Sequence, residues 1–104
     1  GMAYKKNVDD VREAPALRLM EQFEARGARV AYHDPLVPTV PPTRDHAVLA
    51  GRTSVALDHL EHYDAVVVVT DHDDIDWTAL QRGARLIVDT RGVFGGGDLR
   101  VVTA

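Results

Sequence analysis

Four consecutive valines, Val66-Val67-Val68-Val69, bound the folds open to this chain more tightly than any other segment. A β-branched run of that length reads as a strand, and a strand apolar at every position has both faces covered, as in a parallel sheet flanked by helices. Leu86-Ile87-Val88 has the same character, and Val101-Val102 suggests a last strand after the Gly95-Gly96-Gly97 turn. Between the valines and the second run, residues 75–82 read as a helix with Asp73 or Asp74 as cap and Gly83 as stop.

The first half of the chain continues this alternation. Pro15 suits the first turn of a helix, and residues 16–26 place Ala16, Leu19, Met20 and Phe23 on one face at spacings of three and four before Gly27 ends it. Residues 28–33, with Val30 and Tyr32, then read as a strand closed by Asp34-Pro35. Pro35, Pro38, Pro41 and Pro42 prevent regular pairing, so residues 35–51 are expected to form a long surface excursion with at most a helical turn near residues 44–50. Ser54 is a candidate cap for a short helix to about residue 62. The expected class is α/β: a Rossmann-like, three-layer domain with a mainly parallel sheet. The opening residues look like the turn that follows a strand, yet no strand precedes them. The first strand of the domain is therefore expected upstream of Gly1, leaving a sheet that closes across the gap or takes another chain into it.

Size and composition narrow the function. A chain of 104 residues supports one core, and the expectation is a single domain over residues 1–104. No apolar run approaches the ~20 residues of a bilayer span, so no membrane partner is expected. The net charge of -4, with the basic residues scattered, argues against nucleic acid, which requires a concentrated basic face. The absence of cysteine excludes a thiol nucleophile and thiolate metal sites within this chain, and it fits a reducing cytoplasm.

Two clusters could carry chemistry. Lys5, Lys6, Asp9, Asp10, Arg12 and Glu13 lie between a presumed strand end and a helix start, where a phosphate or sugar acid is favoured; equally, they could be a solvated loop of internal ion pairs. Arg91, in Asp89-Thr90-Arg91 after the second apolar run, should enter the same edge crevice and could bind phosphate in a bidentate way, or it could pair with a neighbouring carboxylate. The run Asp71-His72-Asp73-Asp74-Ile75-Asp76 lacks the glycine and glutamate of a calcium loop, and helix capping accounts for its aspartates. His59 and His62 have no further ligand in evidence, so no metal is expected, and His33 and His46 are uninformative. The triple glycine is followed by neither a phosphate-loop lysine nor its serine, GxGxxG is absent, and Trp77 reads as packing.

The segment AYKKNVDDVREAPALRLMEQFEARGARVAYHDP resembles the start of the C-terminal domain of the UDP-glucose/GDP-mannose dehydrogenase family. The carriers are Tyr4-Lys5, then Asp10-Val11-Arg12-Glu13-Ala14-Pro15, then His33-Asp34-Pro35; YDAVVVVTDHDDID and LIVDTRGVF extend the likeness, with only residues 38–53 unremarkable. Ala14 stands where the family usually has serine, which should weaken helix capping by ~1 kcal/mol, and Gly92 stands where asparagine is common. The resemblance implies the nucleotide-sugar-binding domain of an NAD-dependent enzyme that oxidises the C6 hydroxyl of UDP-glucose, a UDP-N-acetylhexosamine or GDP-mannose to a carboxylate for polysaccharide precursors. It implies Tyr4, Lys5 and Arg91 as substrate contacts and Arg12 as a cofactor contact. NAD would be held mainly by an N-terminal domain and the catalytic cysteine supplied by a central one, so this fragment alone is expected to be inactive. Those two domains, the nucleotide sugar and further copies of the enzyme in a homo-oligomer are the partners implied. Two alternatives from other classes are a non-catalytic receiver-like signalling domain and a structural assembly domain.

Overall fold

A computed structural model describes residues 1–104. The regular elements are helix α1 (Pro15–Ala25), strand β1 (Val66–Val68), helix α2 (Trp77–Gly83), strand β2 (Ile87–Asp89) and strand β3 (Val101–Thr103), with single 3-10 turns at Ala47–Leu49 and Leu60–His62. The three strands form one parallel sheet in the order β1-β2-β3, with Val66 opposite Ile87 and Ile87 opposite Val101. This is a small α/β domain consistent with a Rossmann-like fold. No helix is long and apolar enough to cross a membrane.

Helix α1 begins at Pro15 as expected, with Ala14 at the N-cap making no side-chain cap bond. Gly27, at φ +92°, leaves it through a left-handed turn that a glycine adopts without strain. Helix α2 is shorter than expected and is capped by Asp76, not Asp73 or Asp74: its carboxylate accepts the Ala79 N–H at 3.0 Å. Asp73 instead reaches back to the opening loop. At the other end of α2, the Arg100 guanidinium donates to the carbonyls of Gln81 (2.7 Å) and Ala84 (2.8 Å), covering groups that a helix leaves unpaired.

Three expectations are corrected. Residues 54–62 form no helix beyond the 3-10 turn, and the Ser54 hydroxyl accepts the Asp34 N–H at 2.9 Å instead of capping. The proline-rich excursion is not merely surface. Val37, Val40 and Leu49 are buried against Leu17 and Met20 of α1, and the excursion is fastened by the Arg52–Glu24 ion pair (2.8 Å) and by His46 with Glu21. Most consequential, residues 28–33 are not a strand: no backbone hydrogen bond joins them to β1. A strand needs a partner, and the sheet has not closed across the gap.

The apolar interior is accordingly in two parts. One gathers Met2, Ala3, Val11, Leu17, Met20 and the excursion; the other gathers Leu60, Val68, Ile75, Leu80, Ala84 and Ile87 around the sheet and α2. The valine run, expected to be covered on both faces, is fully buried only at Val68, because its free side borders the space between the two parts.

Candidate functional site

The carboxyl ends of β1 and β2, together with the opening loop, gather the polar residues. Residues 1–3 wedge between the end of segment 28–33 and the end of β1: Met2 and Ala3 donate their N–H groups to the Asp34 carboxylate at 2.7 and 3.3 Å, and the Thr70 hydroxyl donates to the Ala3 carbonyl at 2.7 Å. Beyond this wedge the chain loops out, and the Tyr4 N–H closes the loop on the Asp10 carbonyl at 2.7 Å.

The loop rests on a buried polar pair. His72 and Asp34 are both fully inaccessible to solvent, with His72 Nε2 2.8 Å from Asp34 Oδ2. His72 Nδ1 accepts the N–H of Asn7 at 2.8 Å, so the ring proton is assigned to Nε2 and donated to the carboxylate. The Leu36 N–H is the fourth donor to Asp34. Burial pushes the Asp34 carboxyl up, but the N–H groups of Met2 and Leu36 and the His72 ring more than offset it and hold it below the usual carboxylate range. Asn7 sits in the left-handed region at φ +62°, which asparagine tolerates, and exchanges side-chain bonds with Asp73 in both directions (2.8 and 2.9 Å). Lys6 adds an ion pair to the same Asp73 at 3.1 Å.

A second device orders the loop after β2. The buried Asp89 carboxylate accepts N–H groups from Arg91 (3.0 Å), Gly92 (2.9 Å) and Phe94 (3.0 Å), and the Thr90 hydroxyl donates to the Val68 carbonyl of β1. Burial raises the Asp89 carboxyl, and these backbone donors bring it below its ordinary value. Gly92, at φ +74°, occupies a backbone conformation that a branched side chain resists. Arg91 itself is half exposed, its Nε 3.4 Å from Asp71.

The Asp71-His72-Asp73 turn therefore joins the two regions named from the sequence, holding Lys6 and Asn7 on one side and Arg91 on the other. Its Asp71 and Asp73 carboxylates are engaged in these contacts. Tyr4 and Lys5 project to solvent, and Lys5 has no ion-pair partner. Arg12 is largely exposed and held by Asp10 at 2.8 Å, with the guanidinium drawing the Asp10 carboxyl down to about 2. Arg12 thus forms the internal loop ion pair that was one of the two sequence readings. His59, Glu61 and His62 form an exposed trio on the 3-10 turn, with the two imidazoles stacked at 5.3 Å. Trp77 packs edge-on to Phe94 at 5.9 Å and donates to the His72 carbonyl, as a packing residue does.

The sequence left Asp34, His72 and Asp89 without functional weight. The signal was positional: each follows directly or within a few residues on an apolar run, where a short polar side chain can catch the N–H groups of the departing loop. An unpaired lysine, a weakly paired arginine and an exposed aromatic ring around one sheet edge can hold a diphosphate and stack a planar or sugar ring. An apolar cavity lies elsewhere, between α1, residues 28–33 and β1.

The profile of the UDP-glucose/GDP-mannose dehydrogenase family, UDP binding domain, matches residues 1–96. The chain is similar to the UDP-glucose 6-dehydrogenase of Pseudomonas aeruginosa, at 33% identity over 90% of this chain and 23% of the relative. It is likewise similar to the UDP-N-acetyl-D-mannosamine dehydrogenase of Pyrococcus horikoshii (29%, 90% and 21%) and to the NDP-N-acetyl-D-galactosaminuronic acid dehydrogenase of Ralstonia nicotianae (28%, 90% and 22%). The chain spans about a fifth of the length of these relatives.

Proposed function

This chain belongs to the UDP-glucose/GDP-mannose dehydrogenase family as its UDP-binding domain, and from that premise we propose that it holds the nucleotide diphosphate of a nucleotide sugar within an NAD-dependent nucleotide-sugar 6-dehydrogenase. The observation that supports this most is the shared turn: Lys6 and Asn7, which follow Lys5 directly, are bonded to Asp73 while Arg91 reaches Asp71, so the opening loop and Arg91 meet on one short segment at the sheet's carboxyl edge. In this reading Lys5 and Arg91 take the diphosphate, and Arg91 exchanges Asp71 for a bidentate phosphate contact. The Tyr4 ring packs on the nucleoside or sugar. Arg12 leaves Asp10 to reach the NAD carried by a neighbouring domain.

Hydride transfer and the covalent chemistry belong to the rest of the enzyme, since this chain has no cysteine and no GxGxxG. The isolated chain is therefore inactive as a dehydrogenase, and the whole enzyme works as a cytoplasmic homo-oligomer supplying uronic acids for polysaccharides. Neither a receiver-like nor a purely structural role gains support from the family match.

Calorimetric titration with UDP, UDP-glucose and GDP tests the reading. Saturable binding should weaken on the order of tenfold or more in Lys5→Ala and in Arg91→Ala, each removing a charge-assisted contact. Arg12→Ala should leave UDP affinity unchanged. A folded chain that binds none of the three nucleotides, or whose affinity ignores Lys5 and Arg91, would overturn it.

A further inference from the structure

The fully buried His72 makes none of the nucleotide contacts proposed above, yet it fixes the loop that carries two of them. The loop is held to the sheet edge at two places. Asp34 accepts the N–H groups of Met2 and Ala3, and His72 Nδ1 accepts the N–H of Asn7 at 2.8 Å. Tyr4 and Lys5 lie between these anchors, and the bond from His72 Nε2 to Asp34 Oδ2 (2.8 Å) ties one anchor to the other. The other fastenings on the Asn7 side, the Lys6–Asp73 ion pair and the side-chain bonds of Asn7 to Asp73, are exposed to solvent and correspondingly weak. The Tyr4 N–H, bonded to the Asp10 carbonyl, closes the loop on itself and does not reach the sheet.

Only the neutral imidazole with its proton on Nε2 serves both anchors, donating to Asp34 and accepting from Asn7. The other neutral tautomer and the imidazolium carry a proton on Nδ1, which faces the Asn7 N–H, donor against donor. An imidazolium therefore keeps the Asp34 bond and releases Asn7. The charged groups about the ring are Asp34 at the end of segment 28–33, Asp73 with its partner Lys6 of the opening loop, and Asp71 with its partner Arg91. Burial raises the Asp34 carboxyl and its donors more than offset this, while the Asn7 amide and Lys6 hold Asp73 down. Both carboxylates therefore stay ionised between pH 5 and 8, the interval in which imidazoles gain charge. The Gly1 amine, which burial pushes down, faces Asp34 and Asp71.

We propose that His72 is a positioning residue for nucleotide binding: its neutral Nε2–H form holds the opening loop to the sheet edge with Tyr4 and Lys5 placed for the ligand, and a proton taken up at Nδ1 frees that loop. This rests on the reading that Tyr4 and Lys5 touch the nucleotide. The sign of the pH effect separates loop release from simple charge. An added positive charge beside the site attracts a diphosphate more strongly in acid, whereas a released loop binds it more weakly.

The test titrates UDP-glucose, whose diphosphate is esterified at both ends and does not change charge in this interval, into wild type, His72→Gln and His72→Asn from pH 8 to pH 5. Glutamine carries its amide nitrogen as many bonds from Cβ as Nε2, so it keeps a donor for Asp34 and offers Asn7 no acceptor. Asparagine places its oxygen where Nδ1 stands and loses the donor instead. Wild-type affinity should fall on the order of tenfold toward pH 5. His72→Gln should be as weak at pH 8 as wild type is in acid, His72→Asn should match wild type at pH 8, and neither should show the wild-type pH dependence. Stability alone would rank the two variants the other way, because the bond to the Asp34 carboxylate is the stronger. Without ligand, the Asn7 amide should exchange on the order of tenfold faster in His72→Gln than in His72→Asn. Wild-type affinity that is flat or rises in acid would overturn the proposal, as would equal Asn7 exchange in the two variants. If no version binds UDP-glucose while Asn7 exchange differs as stated, the nucleotide reading fails and the anchoring of the loop by His72 stands.

Discussion

Replacing Asp34 by asparagine tests whether the buried carboxylate is the keystone of the sheet's carboxyl edge. In the folded chain Oδ2 receives Met2 N–H, Ala3 N–H and His72 Nε2–H, and Oδ1 receives Leu36 N–H. The asparagine oxygen can keep the first three, which turns its NH2 onto the Leu36 N–H, donor against donor. One hydrogen bond to a charged acceptor is lost, about 1.5–3 kcal/mol. The three retained bonds fall to roughly half their strength once the charge is gone, about a further 1 kcal/mol each. Against this, the variant no longer buries a charge, which recovers a few kcal/mol. The net loss is about 2–3 kcal/mol, and with a urea m-value of about 1.5 kcal/mol/M the midpoint falls by roughly 1.5–2 M. Because the folded pKa of Asp34 lies below its unfolded value, its contribution is complete above the unfolded pKa and is lost as pH falls through the folded one. Urea unfolding at pH 7 and near pH 3 should therefore show a gap between wild type and Asp34→Asn that narrows in acid. A gap below about 0.5 kcal/mol at pH 7, or one of the same size at both pH values, would refute the reasoning.

Other changes isolate single features. Leu17→Ala, at a fully buried position between α1 and the proline-rich excursion, should cost about 2–5 kcal/mol in chemical denaturation. Ala14→Ser should gain about 0.5–1 kcal/mol in thermal or urea unfolding, because the Ala16 N–H has no partner and Ala14 already has extended N-cap geometry. Asp89→Ala leaves the Arg91, Gly92 and Phe94 N–H groups without their acceptor, so it should lower stability by at least about 2 kcal/mol and weaken UDP binding beyond that loss by releasing Arg91. Asp98, which the Arg100 guanidinium holds down to about 2, should keep its ion pair with Arg100 until the pH approaches that value, visible as a carboxyl titration followed by NMR.

Local chemistry explains what was legible. Pro15, the spacing of Ala16, Leu19, Met20 and Phe23, and Gly27 define α1 because helix start, face and stop depend on residues within a turn or two. The apolar runs became β1, β2 and β3 because β-branched residues without alternation suit a parallel sheet, and Arg91 fell at the β2 edge because it follows that run. The Asp76 cap of α2 was missed among neighbouring aspartates of equal capping ability, a choice decided when Asp73 was drawn to Asn7 and Lys6 across the chain.

By itself the sequence determined α1, α2, the three parallel strands β1, β2 and β3, the exclusion of cysteine chemistry and the family, since each rests on residue type and short-range spacing. The tertiary structure alone decided that His72 and Asp34 form a buried pair beneath the opening loop, that Val37, Val40 and Leu49 belong to the core, and that residues 28–33 form no ladder with β1. Burial and pairing depend on what lies across the fold. The valine run declared a strand with two covered faces; only the folded chain revealed that its free edge borders an open groove, because a ladder forms only where the facing backbone is present.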